Sequence, residues 1–322
     1  MIILDTGPWD WTAFRQSLSL SLLTGKPVTL RGGIPFLQSN PLCANIMSDW
    51  EDIFHQSGTG RLMARGQDVE FYPSPVSYGI YQFLTGPCSS AVETLLLFLP
   101  VLFTLPFRSS LSCEGVTQSR LSAPVNFWNE CFLAHLESLG FYAHLSLRRY
   151  GFFGSGQGRI QAKVYPFEKT GVIRETGEKK TELVGARVVL SGLSMELAAR
   201  QKNLLIKRTG LPQDKISLIE VQDSAGSGHL VQIFHMRDGV PLIYSLALDA
   251  YNAAGGYVYD SIPVDDCLGE FLGEVEASES SGRWPDFLIR ELLPYYRLAG
   301  RDDANLHSGC AEATKRVMDL LL

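Results

Sequence analysis

The chain has 322 residues, 45% of them hydrophobic and 19% charged, with a formal net charge of −6 and a pI of about 5.6. That is ample material for a buried core and, at roughly 100–200 residues per domain, points to two domains. It excludes a strongly basic nucleic-acid-coating protein, so any nucleic-acid contact has to come from a local cluster of cations. Six cysteines (Cys43, Cys88, Cys113, Cys131, Cys267 and Cys310) show no CxxC spacing and no matching histidines. This argues against a zinc site and a disulfide framework, and for reduced thiols in a cytoplasmic protein. The opening MIILDTG lacks the basic flank and long apolar run of a signal peptide. The longest apolar run, residues 95–105, contains Pro100 and Thr104 and is too short to span a bilayer, so no membrane partner is expected.

Taken in order, residues 1–4 read as a strand ending at Asp5, and residues 8–10 break it before a helical pattern carried by Phe14, Leu18 and Leu22. Thr24-Gly25 closes that helix, and Lys26-Pro27 opens a strand over 28–31, which completes a β-α-β unit. Residues 41–55 predict a second helix with Ile46, Trp50 and Ile53 on one side, followed by strands over 69–72 and 80–84. A long apolar helix is expected over 89–104, a strand over 108–113, a helix over 127–139, and strands over 143–148 and 159–165. The order helix, strand, helix, strand, strand thus occurs twice, about 75 residues apart, as an internal structural repeat.

Between the last two of these strands lies YGFFGSGQGRI, residues 150–160, with glycines at 151, 154, 156 and 158. Such a run is either a sharp hairpin turn or an anion-cradling loop beside Arg148, Arg149 and Arg159. A dinucleotide fingerprint needs a helix after the glycines, and here a strand follows, which rules out a Rossmann site. Residues 167–182 turn polar and read as a solvated linker. Beyond it a β-α-β-β-β block over 183–262 reads as an inserted small α+β domain. Residues 1–182 and 263–322 then form the larger domain, with helices over 264–276, 285–293 and 312–322.

Several strings, in order along nearly the whole chain, resemble the RNA 3′-terminal phosphate cyclase family. They are MIILD at 1–5, RQSLSLSLLTGKP at 15–27, ETLLLFLPVLF at 93–103, SAPVNFW at 122–128, YGFFGSGQGRI at 150–160, SGL at 191–193 and GLP at 210–212. The resemblance implies an α+β fold of repeated β-α-β-α-β-β units, shared with the enolpyruvyl transferases, with an inserted small α+β domain. It also implies an enzyme that uses ATP and Mg to adenylylate a histidine, passes AMP to an RNA 3′-phosphate, and lets the 2′-hydroxyl close a 2′,3′-cyclic phosphate. Such chemistry calls for an unprotonated imidazole, cations on the phosphates and a divalent metal.

Carried over residue by residue, the resemblance places Asp5, Arg15, Thr117 and Arg120 at the nucleotide and phosphates, and puts the catalytic histidine nearest to His307. Between Asp5 and Arg15 the family's glycine- and glutamate-rich loop is about two residues shorter here and carries Trp9 and Trp11. Its Gln-His pair falls near Leu42-Cys43, so both polar side chains are lost. Asp302 and Asp303 precede His307, and two carboxylates there would raise an imidazole pKa and hinder attack near neutral pH.

Arg31, Arg148, Arg149 and Arg159 are the candidate cations for an RNA end, because the planar guanidinium bonds two phosphate oxygens at once. Trp9, Trp11, Phe152 and Phe153 either stack unpaired bases or plug a disused cleft. Three functions follow. The first is a cyclase-like protein that binds RNA ends with adenylylation reduced or lost, working with protein partners in RNA processing. The second is an active ATP-dependent cyclase. The third is a transferase acting on a small phosphorylated metabolite.

Overall fold

The computed structural model describes residues 1–5, 9–39, 43, 45–120, 122–169, 181–237, 239–251, 256–282, 284–301 and 312–322. The chain runs β1 (Ile2–Leu4), α1 (Trp11–Thr24), β2 (Val28–Leu30), α2 (Gly33–Ser39), α3 (Ile46–Ser57), β3 (Gly60–Arg65) and β4 (Asp68–Pro73). It continues with β5 (Ile80–Leu84), α4 (Ala91–Phe103), β6 (Ser109–Gly115), α5 (Val125–Phe127), a π turn (Trp128–Phe132), α6 (Leu133–Leu139), β7 (Ala143–Gly151) and β8 (Gly158–Val164). Then come β9 (Thr181–Ser191), α7 (Met195–Thr209), β10 (Ile216–Glu220), the short β11 (Ser224–Ala225), β12 (Gly228–Arg237) and β13 (Val240–Asp249). The helices α8 (Val264–Ser280), α9 (Asp286–Leu298) and α10 (Glu312–Leu321) follow.

The repeat is real, and its topology is the same in both copies. The first sheet has the order β1-β2-β4-β3 and the second β11-β7-β8-β6-β5, so that β5, β6, β8 and β7 repeat β1, β2, β4 and β3. In each copy the first two strands are parallel and the remaining pairs antiparallel. The boundary between copies differs from the sequence expectation in one respect. The strand at 80–84 opens the second unit instead of closing the first, and the missing partner is β3. Its sequence GRLMAR carries arginines at an exposed edge, which hides the strand signal. The third sheet, β10-β9-β12-β13, carries α7 on β9 and β10. β11 leaves that block to pair with β7 at Tyr150 and Gly151.

α1 lies on β2 and β4, α4 lies on β6 and β8, and the two helices pack on each other, which gives a sheet–helix–helix–sheet stack. Every residue of α4 is buried, as is each residue of α1 from Ala13 to Leu22. A helix enclosed on all sides needs apolar residues or small ones all round, which explains the serines of SLSLS in α1. Asp10 caps α1, its Oδ1 accepting from the Ala13 N–H at 2.8 Å, and Ser90 caps α4 by accepting from the Glu93 N–H at 3.1 Å.

Within this apolar centre sits a charge triad. Arg15 of α1 is 3% exposed; its Nε lies 2.8 Å from Glu93 Oε2 of α4, and its Nη2 donates to Glu291 Oε2 of α9. Thr12 Oγ1 donates to Glu291 Oε1 at 3.4 Å, and Gln16 Nε2 to the Arg290 carbonyl at 2.8 Å. One cation thus ties three helices together. Burial pushes the Glu93 carboxyl up to about 7 against the pull of Arg15, so near neutral pH the triad retains a proton.

The glycine run is the tight connection between β7 and β8, and it is packed instead of open. A Cβ on Gly158 would stand 2.6 Å from Gly151 N, 2.7 Å from Thr117 Cγ2 and 2.8 Å from Gly115 O. Gly154, at φ +88°, lies under Tyr251, and Gly156, at φ +57°, against Pro87. The loop is where the ends of β6, β7, β8 and β13 close on one another.

Arg15→Met should cost about 3–5 kcal/mol in urea unfolding, because it leaves buried carboxylates without their cation. Glu93 binds its proton more tightly folded than unfolded, so its contribution is complete below the ordinary carboxylate range and fades as pH rises through about 7. Stability measured across that range should fall in the wild type, and less steeply in Glu93→Gln. Gly158→Ala, which has only backbone and a β-branched methyl to push against, should lower stability by about 2–4 kcal/mol in the same assay.

Candidate functional site: a groove along the last strand

The residues expected around one active centre are distributed over four places. Asp5 and Arg31 meet at the carboxyl ends of the parallel strands β1 and β2, Arg31 Nη1 lying 3.5 Å from Asp5 Oδ2, with both side chains more than half exposed. Arg316 Nη1 of α10 donates to the Asp5 carbonyl at 3.4 Å, so α10 begins beside this strand end. His307 lies outside the described residues, as do Asp302, Asp303, Leu42 and Cys310.

Arg15 is turned into the core, as described. A phosphate could reach its guanidinium only by displacing Glu93 or Glu291. The loop tryptophans are part of the same core. Trp9 Nε1 donates to the Arg31 carbonyl at 2.7 Å and its ring meets Phe14 edge-on at 5.8 Å. Trp11 stacks on Phe14 at 5.9 Å and on Trp50 at 5.4 Å. Phe152 and Phe153 are buried as well. Trp9, Phe152 and Phe153 are thus packed inside, and Trp11, half-buried, is flanked by Phe14 and Trp50.

Thr117 is also spoken for by the backbone: its Oγ1 accepts from the Gly151 N–H at 3.0 Å and donates to the Gly151 carbonyl at 3.3 Å. The hydroxyl pins β6 to the glycine turn. Arg120, three residues on, is exposed and lines a cavity of about 360 Å³ with Ser119, Ser122, Phe127, Ser245 and Phe287. Through Ser245 and Phe287 this space adjoins a second one of about 720 Å³ along β13, α8 and α9, lined among others by Thr12, Tyr244, Trp284 and Arg290. Hydroxyls and aromatic walls line both spaces; Glu274 and Asp286 stand in the larger one beside Arg290, so the Arg120 end is the one suited to a phosphate.

Asp249 closes β13 beside Arg120. Burial pushes its carboxyl up to about 7, while the Arg120 backbone N–H and guanidinium pull it down by less. The Arg120 charge favours the ionised form of Asp249, so the carboxylate, once ionised, competes with an anionic ligand for that guanidinium.

Arg148, Arg149 and Arg159 stand on the outer face of the second sheet. Arg149 and Arg159 are opposed across β7 and β8. Arg159 pairs with Glu114, Arg149 Nε lies 3.4 Å from Asp223 Oδ1, and Arg148 Nε donates to Gln161 Oε1 at 2.9 Å. Sequence reading missed Glu93, Glu291, Asp249 and Ser245. For Glu93 a signal existed: one carboxylate in an otherwise apolar, fully enclosed helix demands a buried cation.

A sequence model of the RNA 3′-terminal phosphate cyclase family matches residues 11–275. The RNA 3′-terminal phosphate cyclase of Koribacter versatilis is 29% identical over 243 residues, which is 72% of this chain and 67% of that protein. The one from Pseudomonas fluorescens is 29% identical over 239 residues, 72% of this chain and 68% of its own length. The one from Ectopseudomonas mendocina is 24% identical over 337 aligned residues, covering 98% and 96% of the two chains. The matched span runs from α1 into α8 and includes all of both repeated units except β1, together with the strand that floors the groove. The chain belongs to the RNA 3′-terminal phosphate cyclase family.

Proposed function

We propose that the chain binds RNA 3′ ends in the groove along β13, with adenylylation reduced or lost. The observation that carries this reading is the enclosure of Arg15. The arginine that the resemblance assigns to the nucleotide is sealed between Glu93 and Glu291 and spends its charge on helix packing. The packed Trp9 and Trp11, in place of a glycine-rich loop, support it further. Arg120 and the serines around it remain available to a terminal phosphate, and a guanidinium with neighbouring hydroxyls suits that group.

ATP and magnesium come to this chain from the family alone. Among the described residues no cluster of three or more His, Cys, Asp or Glu stands ready to hold a metal. A magnesium ion would have to meet one or two carboxylates and take its other oxygens from the ligand phosphates, whose charge it would offset. An active cyclase would require His307 as its nucleophile, and that residue therefore separates the two functions.

Incubation with α-labelled ATP and magnesium should leave no AMP on the protein, while a 3′-phosphorylated oligonucleotide binds without ATP. A labelled adduct that disappears in His307→Ala, or formation of a 2′,3′-cyclic end, would overturn the proposal. Arg120→Ala should weaken binding of the 3′-phosphate end by about tenfold, the worth of one charge-assisted bond. The Asp249→Asn variant should bind that end increasingly better than wild type as pH rises through about 7, because the competing carboxylate is gone. Taking the ratio of the two affinities cancels the titration of the phosphate itself. A ratio constant with pH would show that Asp249 does not compete for Arg120.

A further inference from the structure

The second sheet has one face on the core and, among the described residues, no helix over the other. Side chains alternate strictly: Leu111, Cys113, Ile160, Ala162, Val164 and Leu145 point to α4 and the core. The opposite face reads, in cross-strand rows, Ile80–Ser110–Lys163–His144, then Gln82–Ser112–Gln161–Ser146, then Leu84–Glu114–Arg159–Arg149. Arg148 stands at the bulge beside the last row, and Arg108 just ahead of β6.

This face is basic although the chain as a whole is acidic. Among the described residues Arg108, Arg148, Arg149, Arg159 and Lys163 share this face with two paired carboxylates, Glu114 and Asp223, in a chain of net charge −6. Arg108 and Lys163 are exposed at one end of the sheet. At that same end aromatic rings stand in solvent: Tyr78 is 53%, Phe107 60% and Tyr165 39% exposed, the first two edge-to-face at 4.8 Å. The register ties these rings together, since Ser110 N donates to the Gly79 carbonyl and Tyr165 N to the Tyr142 carbonyl. Ile80, 81% exposed, lies between them.

Exposed rings at one end and cations spread over flat hydroxyl and amide rows are the two elements that hold an unpaired strand. Bases stack on the rings, and phosphates run along the cations. With strands about 4.8 Å apart, the four strands β5, β6, β8 and β7 give a track roughly 15 Å wide, enough for about three nucleotides. The Glu114–Arg159 and Asp223–Arg149 pairs are exposed, and pairs of that kind are worth about 1 kcal/mol or less, so phosphate can exchange with their carboxylates.

Resting on the RNA-end reading above, we propose that the uncovered face of the five-stranded sheet is a second contact for single-stranded RNA, holding nucleotides away from the terminal phosphate. The charge excess favours a polyanion over a protein partner, which would need an acidic surface to match.

The test uses fluorescence anisotropy with the full chain, two 3′-phosphorylated oligonucleotides of about 4 and about 16 nucleotides, and the surface variant Arg108→Ala/Lys163→Ala/Tyr165→Ala. The variant should lose about tenfold or more in affinity for the long oligonucleotide and little for the short one. Its salt dependence should be shallower by about 1.4, the share of two phosphate contacts on a single strand. Equal affinity for both lengths in the wild type, or a variant that binds the long strand unchanged, would overturn the track. So would loss of a co-purifying protein from the variant with RNA binding unchanged, since the face would then be a protein surface. Failure of the short oligonucleotide to bind wild type while the long one binds and responds to the variant would instead sink the terminal-phosphate groove and leave the track standing.

Discussion

A guanidinium buried between two carboxylates, inside a stack of helices that are otherwise apolar, is the constraint on which this structure turns. Desolvating an arginine and two carboxyl groups is costly, and the cost is met only if the geometry is held from every side. α1, α4 and α9 each supply one member, so the two repeated units and the C-terminal helices are fixed to one another through a single residue, Arg15. The capping of α4 by Ser90 sets where Glu93 falls, and Thr12 and Gln16 of α1 hold the α9 side. In the same region Trp9 and Trp11 fill with ring surface what a flexible glycine-rich loop would leave open.

The same constraint shapes the chemistry. With its cation committed to the core, the molecule keeps positive charge elsewhere: at the strand ends through Arg31, in the groove through Arg120, and over the open sheet through Arg108, Lys163 and the arginines of β7 and β8. These are exposed and exchangeable, as recognition requires, whereas Arg15 is neither. A fold can be kept while the side chains in its cleft take on other work, so architecture and activity have to be argued separately.

Much of the fold could be read from the sequence. The apolar, serine-spaced α1 and the enclosed α4 announce buried helices, and the glycines after Tyr150 announce a tight turn between strands. β3 stayed hidden because Arg61 and Arg65 stand on an exposed edge, and with it the true boundary of the repeat was lost. The site was harder to read. Arg15 has the right type and position for a phosphate ligand, and only its partners, one 78 residues away and the other 276 residues away, reveal a structural ion. Thr117 likewise lies in the right string, yet its hydroxyl is taken by Gly151. Asp249 ends a strand with no motif around it, and burial alone gives it a pKa near the working range.

The most direct test of the account is the side-chain amide NMR signal of Arg15 Nε–H during titration with ATP and magnesium. A buried triad predicts a resonance that exchanges slowly with solvent and does not move at saturating nucleotide. A signal that exchanges rapidly, or that shifts as nucleotide binds, would place Arg15 on the phosphates and contradict the claim that its charge belongs to the core.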